Sequence, residues 1–262
     1  LLLQRLPSTM VSVIDSHPRD AHALTRPEVP CRVCGANETR LVLDLGSVPL
    51  ANSFLEAGHA MRDEPRYSLG MQFCGSCAIV QIPELVDPEI LFRHYLYTPS
   101  ASSTWREHCS QLSNWLRTKV DGERPFVVEP ASNDGCLLRE VQKWGDVLGV
   151  EPAVNIAGEA IKGGIPTIPE FFSEATARAI RNEYGPAQLV VGTNVLAHAS
   201  DVLDFIRAAT ALLDGDGIFV IEAPYLRDLV ESVAYDTIYH EHFSYLSVTA
   251  LSRILPLGGL TL

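Results

Sequence analysis

The 262-residue chain has no apolar run near the roughly 20 residues that a membrane span requires. The opening Leu1-Leu2-Leu3 is broken at once by Gln4 and Arg5, so no membrane span is expected there. Positive charge is also scarce: 20 Lys and Arg stand against 32 Asp and Glu, a formal net charge of −12. Binding a phosphate backbone depends on clustered Lys and Arg that release counterions, so nucleic acid is not an expected partner. The glycine fingerprint G-x-G-x-x-G is missing, which disfavours a pyrophosphate cradle, and so is the helical zinc signature H-E-x-x-H. No internal repeat and no low-complexity tract occurs. A soluble, cytoplasmic protein is expected. Its composition of 47% apolar and 20% charged residues suits one large domain or two modest ones.

The chain does carry six cysteines, four of them in two identically spaced knuckles, Cys31-Arg32-Val33-Cys34 and Cys74-Gly75-Ser76-Cys77. Two C-x-x-C pairs match the spacing of a tetrahedral four-cysteine zinc site, because each pair wraps a tight loop that aims both thiolates at one metal. Disulfides or redox dithiols are the alternatives, and a cytoplasmic setting argues against the first. With four protein ligands there is no open coordination position, so the expected metal is structural and supplies folding energy, not chemistry.

Along the chain, residues 1–28 show scattered prolines and no sustained period, and are expected to form a loosely ordered lead-in. Residues 29–83 hold both knuckles and short apolar runs, which predicts a small β-rich zinc-binding module. Residues 84–121 turn helical, with Trp105, Leu112, Trp115 and Leu116 at helical spacings, and read as a connector. From residue 122 to 262 apolar strands alternate with helices: Phe126-Val127-Val128, Val147 to Val150, Ile165 to Ile168, Leu189-Val190-Val191 and Gly217 to Ile221. That alternation predicts an α/β fold, a parallel sheet with helices on both faces. In such sheets ligands bind beyond the carboxyl ends of the strands, near the switch point in strand order.

The loop after the first of these strands reads Glu129-Pro130-Ala131-Ser132-Asn133-Asp134-Gly135, in which Gly135 permits a tight strand-to-helix turn and the short polar residues offer contacts to a cofactor. The second strand closes on Glu151, placed where a carboxylate can take ribose hydroxyls, although an acidic residue there is also a common helix cap. Together Glu129 and Glu151 point to an adenosine cofactor with a cationic centre and no pyrophosphate, namely S-adenosylmethionine. The loop after the fourth strand, Thr193-Asn194-Val195-Leu196-Ala197-His198, brings a histidine to the expected mouth of the site. Further on, Tyr239-His240-Glu241-His242-Phe243-Ser244-Tyr245 gathers two histidines, a glutamate and two tyrosines. His240 and His242 at i, i+2 would share one side of a strand as metal ligands, but no further ligand stands near. An acid–base cluster suits the run better: an imidazole beside a carboxylate removes a proton near neutral pH, and tyrosines stabilise an enolate oxygen.

From about Cys31 to Leu262 the chain resembles the zinc-containing, S-adenosylmethionine-dependent sugar C-methyltransferases of deoxysugar biosynthesis. Six segments in order carry the resemblance: the four-cysteine module, Val48-Pro49-Leu50-Ala51-Asn52-Ser53-Phe54-Leu55, Tyr95-Leu96-Tyr97, Ser132 to Gly135, Asn194 to His198, and Tyr239 to Tyr245. The resemblance implies a class I methyltransferase-like (Rossmann-like) sheet and methylation at carbon 3 of a nucleotide-activated 4-keto-deoxysugar. It implies that Glu129, Ser132, Asn133, Asp134 and Glu151 line the cofactor site, with Asn194 nearby and Phe171 or Phe172 close to the adenine. His242 paired with Glu241 would be the general base. Tyr239, His198 and one of Tyr95 and Tyr97 would bind the sugar and its enolate.

Two departures from the family add expectations. Pro130 and Ala131 replace an aliphatic residue and a glycine, removing a backbone donor and adding a methyl where the cofactor approaches, which predicts weakened affinity. The chain also reads as truncated: Gly258-Gly259-Leu260-Thr261-Leu262 looks like the start of a strand, while family members continue through a final antiparallel pair and a C-terminal α/β domain. An exposed apolar sheet edge, with association, would follow. Competing functions are an O- or N-methyltransferase sharing the adenosine site and a non-catalytic scaffold that keeps the zinc module as an interaction surface.

Overall fold

The structure, a computed structural model, describes residues 29–55, 64–95 and 98–262. The lead-in at 1–28 lies outside the described residues, and so does Tyr97.

Five parallel strands form the main sheet: β4 (Phe126–Pro130), β5 (Asp146–Val150), β6 (Thr167–Ile168), β7 (Ala187–Thr193) and β8 (Leu213–Glu222), in the order β6-β5-β4-β7-β8. The order reverses between β4 and β7, which makes the ends of those two strands the switch point. Successive residues of a strand point to opposite faces, and the apolar doublets use both. Val127, Val147 and Leu189 pack with α2 (Ser103–Arg117) and α3 (Cys136–Val141) on one side. Val128, Leu148 and Val190 pack with α5 (Glu174–Tyr184) and α6 (Val202–Leu212) on the other. Burying each such side chain contributes about 1.5–3 kcal/mol, so the doublets dominate the stability of this layer. Short polar residues start the helices: the Ser102, Ser173 and Asp201 side chains accept from Trp105 N, Thr176 N and Asp204 N respectively.

The cysteine knuckles belong to a second, antiparallel sheet of β1 (Thr39–Val48), β2 (Tyr67–Cys74), β3 (Val80–Gln81) and β9 (Ser244–Tyr245). Its fourth strand comes from far along the chain, since Val80 pairs with Tyr245 and Gln81 with Ser244. Phe243, fully buried, anchors this crossing among Leu69, Met71, Val80 and Ile82, and α7 (Leu226–Glu231) leans on the same cluster through Leu226 and Leu229. The knuckles themselves pack on α6 and on α8 (Val248–Ile254), with Val33 and Ile79 against Val202, Ile206 and Ile254. The segment between the sheets holds α1 (Pro88–Phe92), a 3-10 turn at Pro99–Ala101 and α2.

Two local expectations are corrected. Residues 239–242 form a turn, so His240 and His242 do not share a strand face. The terminal residues do not begin a strand: Leu255–Gly258 is a 3-10 turn closed by Gly259 in a left-handed conformation (φ 90°), and Pro256 lacks the N–H that a ladder needs. Among the described residues β6 and β8 are the two edges of the parallel sheet, and Ile218 on β8 is exposed.

Candidate active site

Cys31, Cys34, Cys74 and Cys77 bring their sulfurs within 4.8 Å of one another. The Cys31–Cys77 and Cys34–Cys74 separations are 3.7 and 3.6 Å. Four thiolates at about 2.3 Å around one tetrahedral zinc stand about 3.8 Å apart, so the cluster fits that ion. These separations are far beyond the roughly 2.05 Å of a disulfide. All four positions would be protein ligands, which makes the centre structural.

The larger cavity, about 570 Å³, opens beyond the carboxyl ends of β4, β5 and β7. The loop after β4 turns sharply because Ala131, Asn133 and Gly135 all take positive φ (52°, 50° and 76°). At Gly135 even a Cβ would meet Ile165 Cγ1 at 2.9 Å, so only glycine fits the start of α3. Glu151 ties the loop to β5: its carboxylate accepts from Asn133 N and Ala153 N, both at 2.8 Å. The glutamate is thus also a backbone clamp, while each oxygen keeps a further lone pair for a ligand. Burial raises its pKa, against those two bonds.

Glu129, at the end of β4, is buried and its pKa is raised well above the usual carboxylate range by that burial. One of its oxygens accepts from Thr193 Oγ1 at 3.2 Å, and the other has no partner among the described residues. Ser132 Oγ and Asp134 Oδ1 are likewise buried without partners. Unpaired buried acceptors cost about 1–3 kcal/mol each, and a ligand bearing an ammonium and hydroxyls removes that cost. The acidic lining, Glu129, Asp134 and Glu151, favours a cation, and Phe171 and Phe172 supply flat apolar walls. The donor set therefore fits S-adenosylmethionine. Of the residues nominated for the cofactor, Ser132, Asn133 and Asn194 also line the cavity; Gly135 does not, and acts through the turn.

His198 and Tyr95 reach the same cavity. His198 sits in the 3-10 turn Leu196–His198 that follows Asn194, whose φ of 54° reverses the chain after β7. Burial, helped by the neighbouring His242, lowers its pKa to about 4, so the ring is neutral. The His198 and His242 rings meet edge to face at 4.9 Å. His242 Nδ1 donates to the Thr237 carbonyl at 2.7 Å, and Nε2 lies 3.2 Å from the Tyr239 hydroxyl. A carbonyl can only accept, so the proton sits on Nδ1 and Nε2 carries the basic lone pair. Burial lowers the His242 pKa as well, against the Thr237 bond, and raises that of Tyr239 to about 12.

The pairing of His242 with Glu241 is not formed. In the turn their side chains diverge, and the Glu241 carboxylate accepts instead from Asn52 Nδ2 at 2.6 Å and from the Tyr95 hydroxyl at 3.2 Å. Glu241 thereby faces a smaller cavity of about 170 Å³ with Asn52, Ser53 and His94, and Tyr95 borders both cavities. Asn52 stands in a segment that the resemblance had marked, but nothing local in the sequence foretold its contact across 189 residues. Thr237 carried no signal at all, since its contribution is a main-chain carbonyl.

Comparison with known proteins bears on this geometry. Residues 110–262 match a family model described as "Methyltransferase domain", and residues 31–92 match one described as "Putative zinc binding domain". The chain belongs to the methyltransferase domain family. Among the curated relatives of this methyltransferase chain is the C-methyltransferase NovU of Streptomyces niveus, 35% identical over 241 residues, 90% of this chain and 57% of that protein. The chain thus spans little more than half the length of that relative. Similar solved structures include the YcgJ protein of Bacillus subtilis (14% identity, TM-score 0.48, covering 59% of this chain and 69% of that one). Another is a SAM-dependent methyltransferase of Thermotoga maritima (14% identity, TM-score 0.44, covering 59% and 70%). Among the described residues no helix is long and apolar enough to cross a membrane.

Proposed function

We propose that this methyltransferase transfers a methyl group to carbon 3 of a nucleotide-activated 4-keto-deoxysugar, with His242 as the base. One observation carries the reading: the Thr237 carbonyl holds the Nδ1 proton, so Nε2 is left basic beside the Tyr239 hydroxyl, and the ring packs edge to face on His198, which lines the cavity. The similarity to a C-methyltransferase supports it.

When bound, S-adenosylmethionine supplies an electrophilic methyl on a sulfonium centre. Glu129, Asp134 and Glu151 would hold that cationic ligand, with Phe171 and Phe172 in the wall of the same cavity. A hydrogen on a carbon beside a ketone is acidic enough for a neutral imidazole. His242 Nε2 takes that proton, the electron pair of the broken C–H bond forms the enolate, and the enolate carbon is the nucleophile. Tyr239, with its raised pKa, keeps its proton at neutral pH and donates to the enolate oxygen once the sugar displaces it from Nε2. His198, neutral, and Tyr95, fixed on Glu241, position the sugar ring.

The test uses the zinc-loaded chain, calorimetry with S-adenosylhomocysteine, and methyl transfer to a nucleotide-linked 4-keto-6-deoxyhexose. His242→Gln is expected to bind S-adenosylhomocysteine within a few-fold of wild type and to lose activity by about 10²–10⁴. A His242 variant that methylates at the full rate removes it from the role of base.

A further inference from the structure

The run that carries His242 is held by the zinc module more than by the parallel sheet. Ser244 and Tyr245 are ladder partners of Gln81 and Val80, and Ile82 N donates to the Phe243 carbonyl at 3.1 Å. His240 Nε2 donates to the Tyr67 carbonyl at 3.3 Å. Arg32 completes this set from inside the first cysteine knuckle, one residue after Cys31. Its Nη2 donates to the Phe243 carbonyl at 2.8 Å and its Nη1 to the Ile82 carbonyl at 3.4 Å. The guanidinium therefore joins the residue after β3 to the residue before β9, reaching across 211 residues of chain, and ends on the residue next to His242. Its Nε is buried without a partner among the described residues, so the two Nη contacts are what hold the guanidinium.

We propose that Arg32 is a positioning residue for His242: it couples the cysteine cluster to the base by clamping the Phe243 carbonyl, and so keeps the imidazole on the Thr237 carbonyl with Nε2 unprotonated. The physical chain is short. Zinc on Cys31 and Cys34 would fix the knuckle that presents Arg32, the two-nitrogen fork of the guanidinium holds both carbonyls at once, and the Phe243 backbone it grips leads directly into His242. The metal thereby reaches the reaction through geometry, not through coordination. The assignment rests on the proposal that His242 is the base, but the coupling itself can be read without turnover.

The experiment is 15N NMR of the histidine rings in the zinc-loaded chain, with His242 assigned by its loss in His242→Gln, and with bound zinc and S-adenosylhomocysteine affinity measured alongside. In wild type the two His242 nitrogens are expected at well-separated positions, as for one neutral tautomer. Arg32→Met is expected to retain zinc and to bind S-adenosylhomocysteine within about threefold, while its two His242 resonances move toward each other as the tautomers mix. A zinc-loaded Arg32→Met whose His242 resonances superimpose on wild type overturns the proposal. If Arg32→Met does not hold zinc, Arg32→Lys decides, because it keeps the charge but replaces the rigid two-nitrogen fork with one flexible ammonium nitrogen. Intermediate resonances are expected from it, and resonances coincident with wild type overturn the proposal. Should the resonances move as expected while His242→Gln still methylates, the coupling stands and the base assignment falls.

Discussion

Gly149 lies on β5 directly beneath the cofactor loop, and adding one methyl there tests how closely that loop is packed. A Cβ on Gly149 would overlap Ser132 Oγ and sit 3.0 Å from both Ser132 Cβ and Thr167 Oγ1. Rotating the serine hydroxyl relieves the first contact only. The second is to the carbon that fixes the loop, so the loop must move by several tenths of an ångström. Overpacking of this kind costs about 1–3 kcal/mol. The same shift displaces Asn133 and Asp134 at the cavity, and 1.4 kcal/mol of lost contact energy is about tenfold in affinity. Gly149→Ala is thus expected to lower the urea midpoint and to weaken S-adenosylhomocysteine binding about tenfold. Gly158→Ala is the matched control: it lies inside α4 (Val154–Lys162) with nothing within 4 Å of the added methyl, and is expected to stabilise by about 0.5–1 kcal/mol with unchanged affinity. If Gly149→Ala keeps both its midpoint and its affinity, the loop is not packed on β5 as argued.

Cys74→Ser is expected to release zinc, seen by metal analysis, and to unfold the antiparallel sheet, seen by circular dichroism, because a structural zinc site withdraws on the order of 10 kcal/mol when lost. Stoichiometric zinc in that variant would refute the four-cysteine centre. His198 makes stability depend on pH. Its folded pKa of about 4 lies below the ordinary 6.5, so the unfolded chain binds more protons between those values, and the contribution present above pH 6.5 is lost as pH falls toward 4. Relative to His198→Phe, the wild-type urea midpoint should therefore fall over that window; parallel curves would mean that the ring is not buried as a neutral group. Activity should follow the His242 ring, rising with pH through its lowered pKa and level at neutrality, while a profile still rising above pH 7 would contradict that lowered value.

Much of the molecule was legible in the sequence because the signals are local. Apolar doublets such as Val127-Val128 and Leu189-Val190 announce strands buried on both faces, and each pair did enter the two opposed cores. The C-x-x-C spacing aims two sulfurs at one point whatever lies between the knuckles, and the four sulfurs meet as that spacing implies. The turn Ser132 to Gly135 needs a positive φ that Gly135 supplies within its own residue.

What only the tertiary structure decided are the partners of charged and polar groups far apart in the chain. Adjacent lettering suggested that Glu241 serves His242, yet the carboxylate turns to Asn52 and Tyr95, and the imidazole takes a main-chain carbonyl that no residue type encodes. The joining of the zinc module to the base segment was equally hidden, because the two-residue strand β9 has no periodicity to read and its partner β3 lies far back in the chain. Local sequence determines which backbone shapes are accessible at each position. Which donor meets which acceptor depends on where distant segments converge, and that is a property of the packed core.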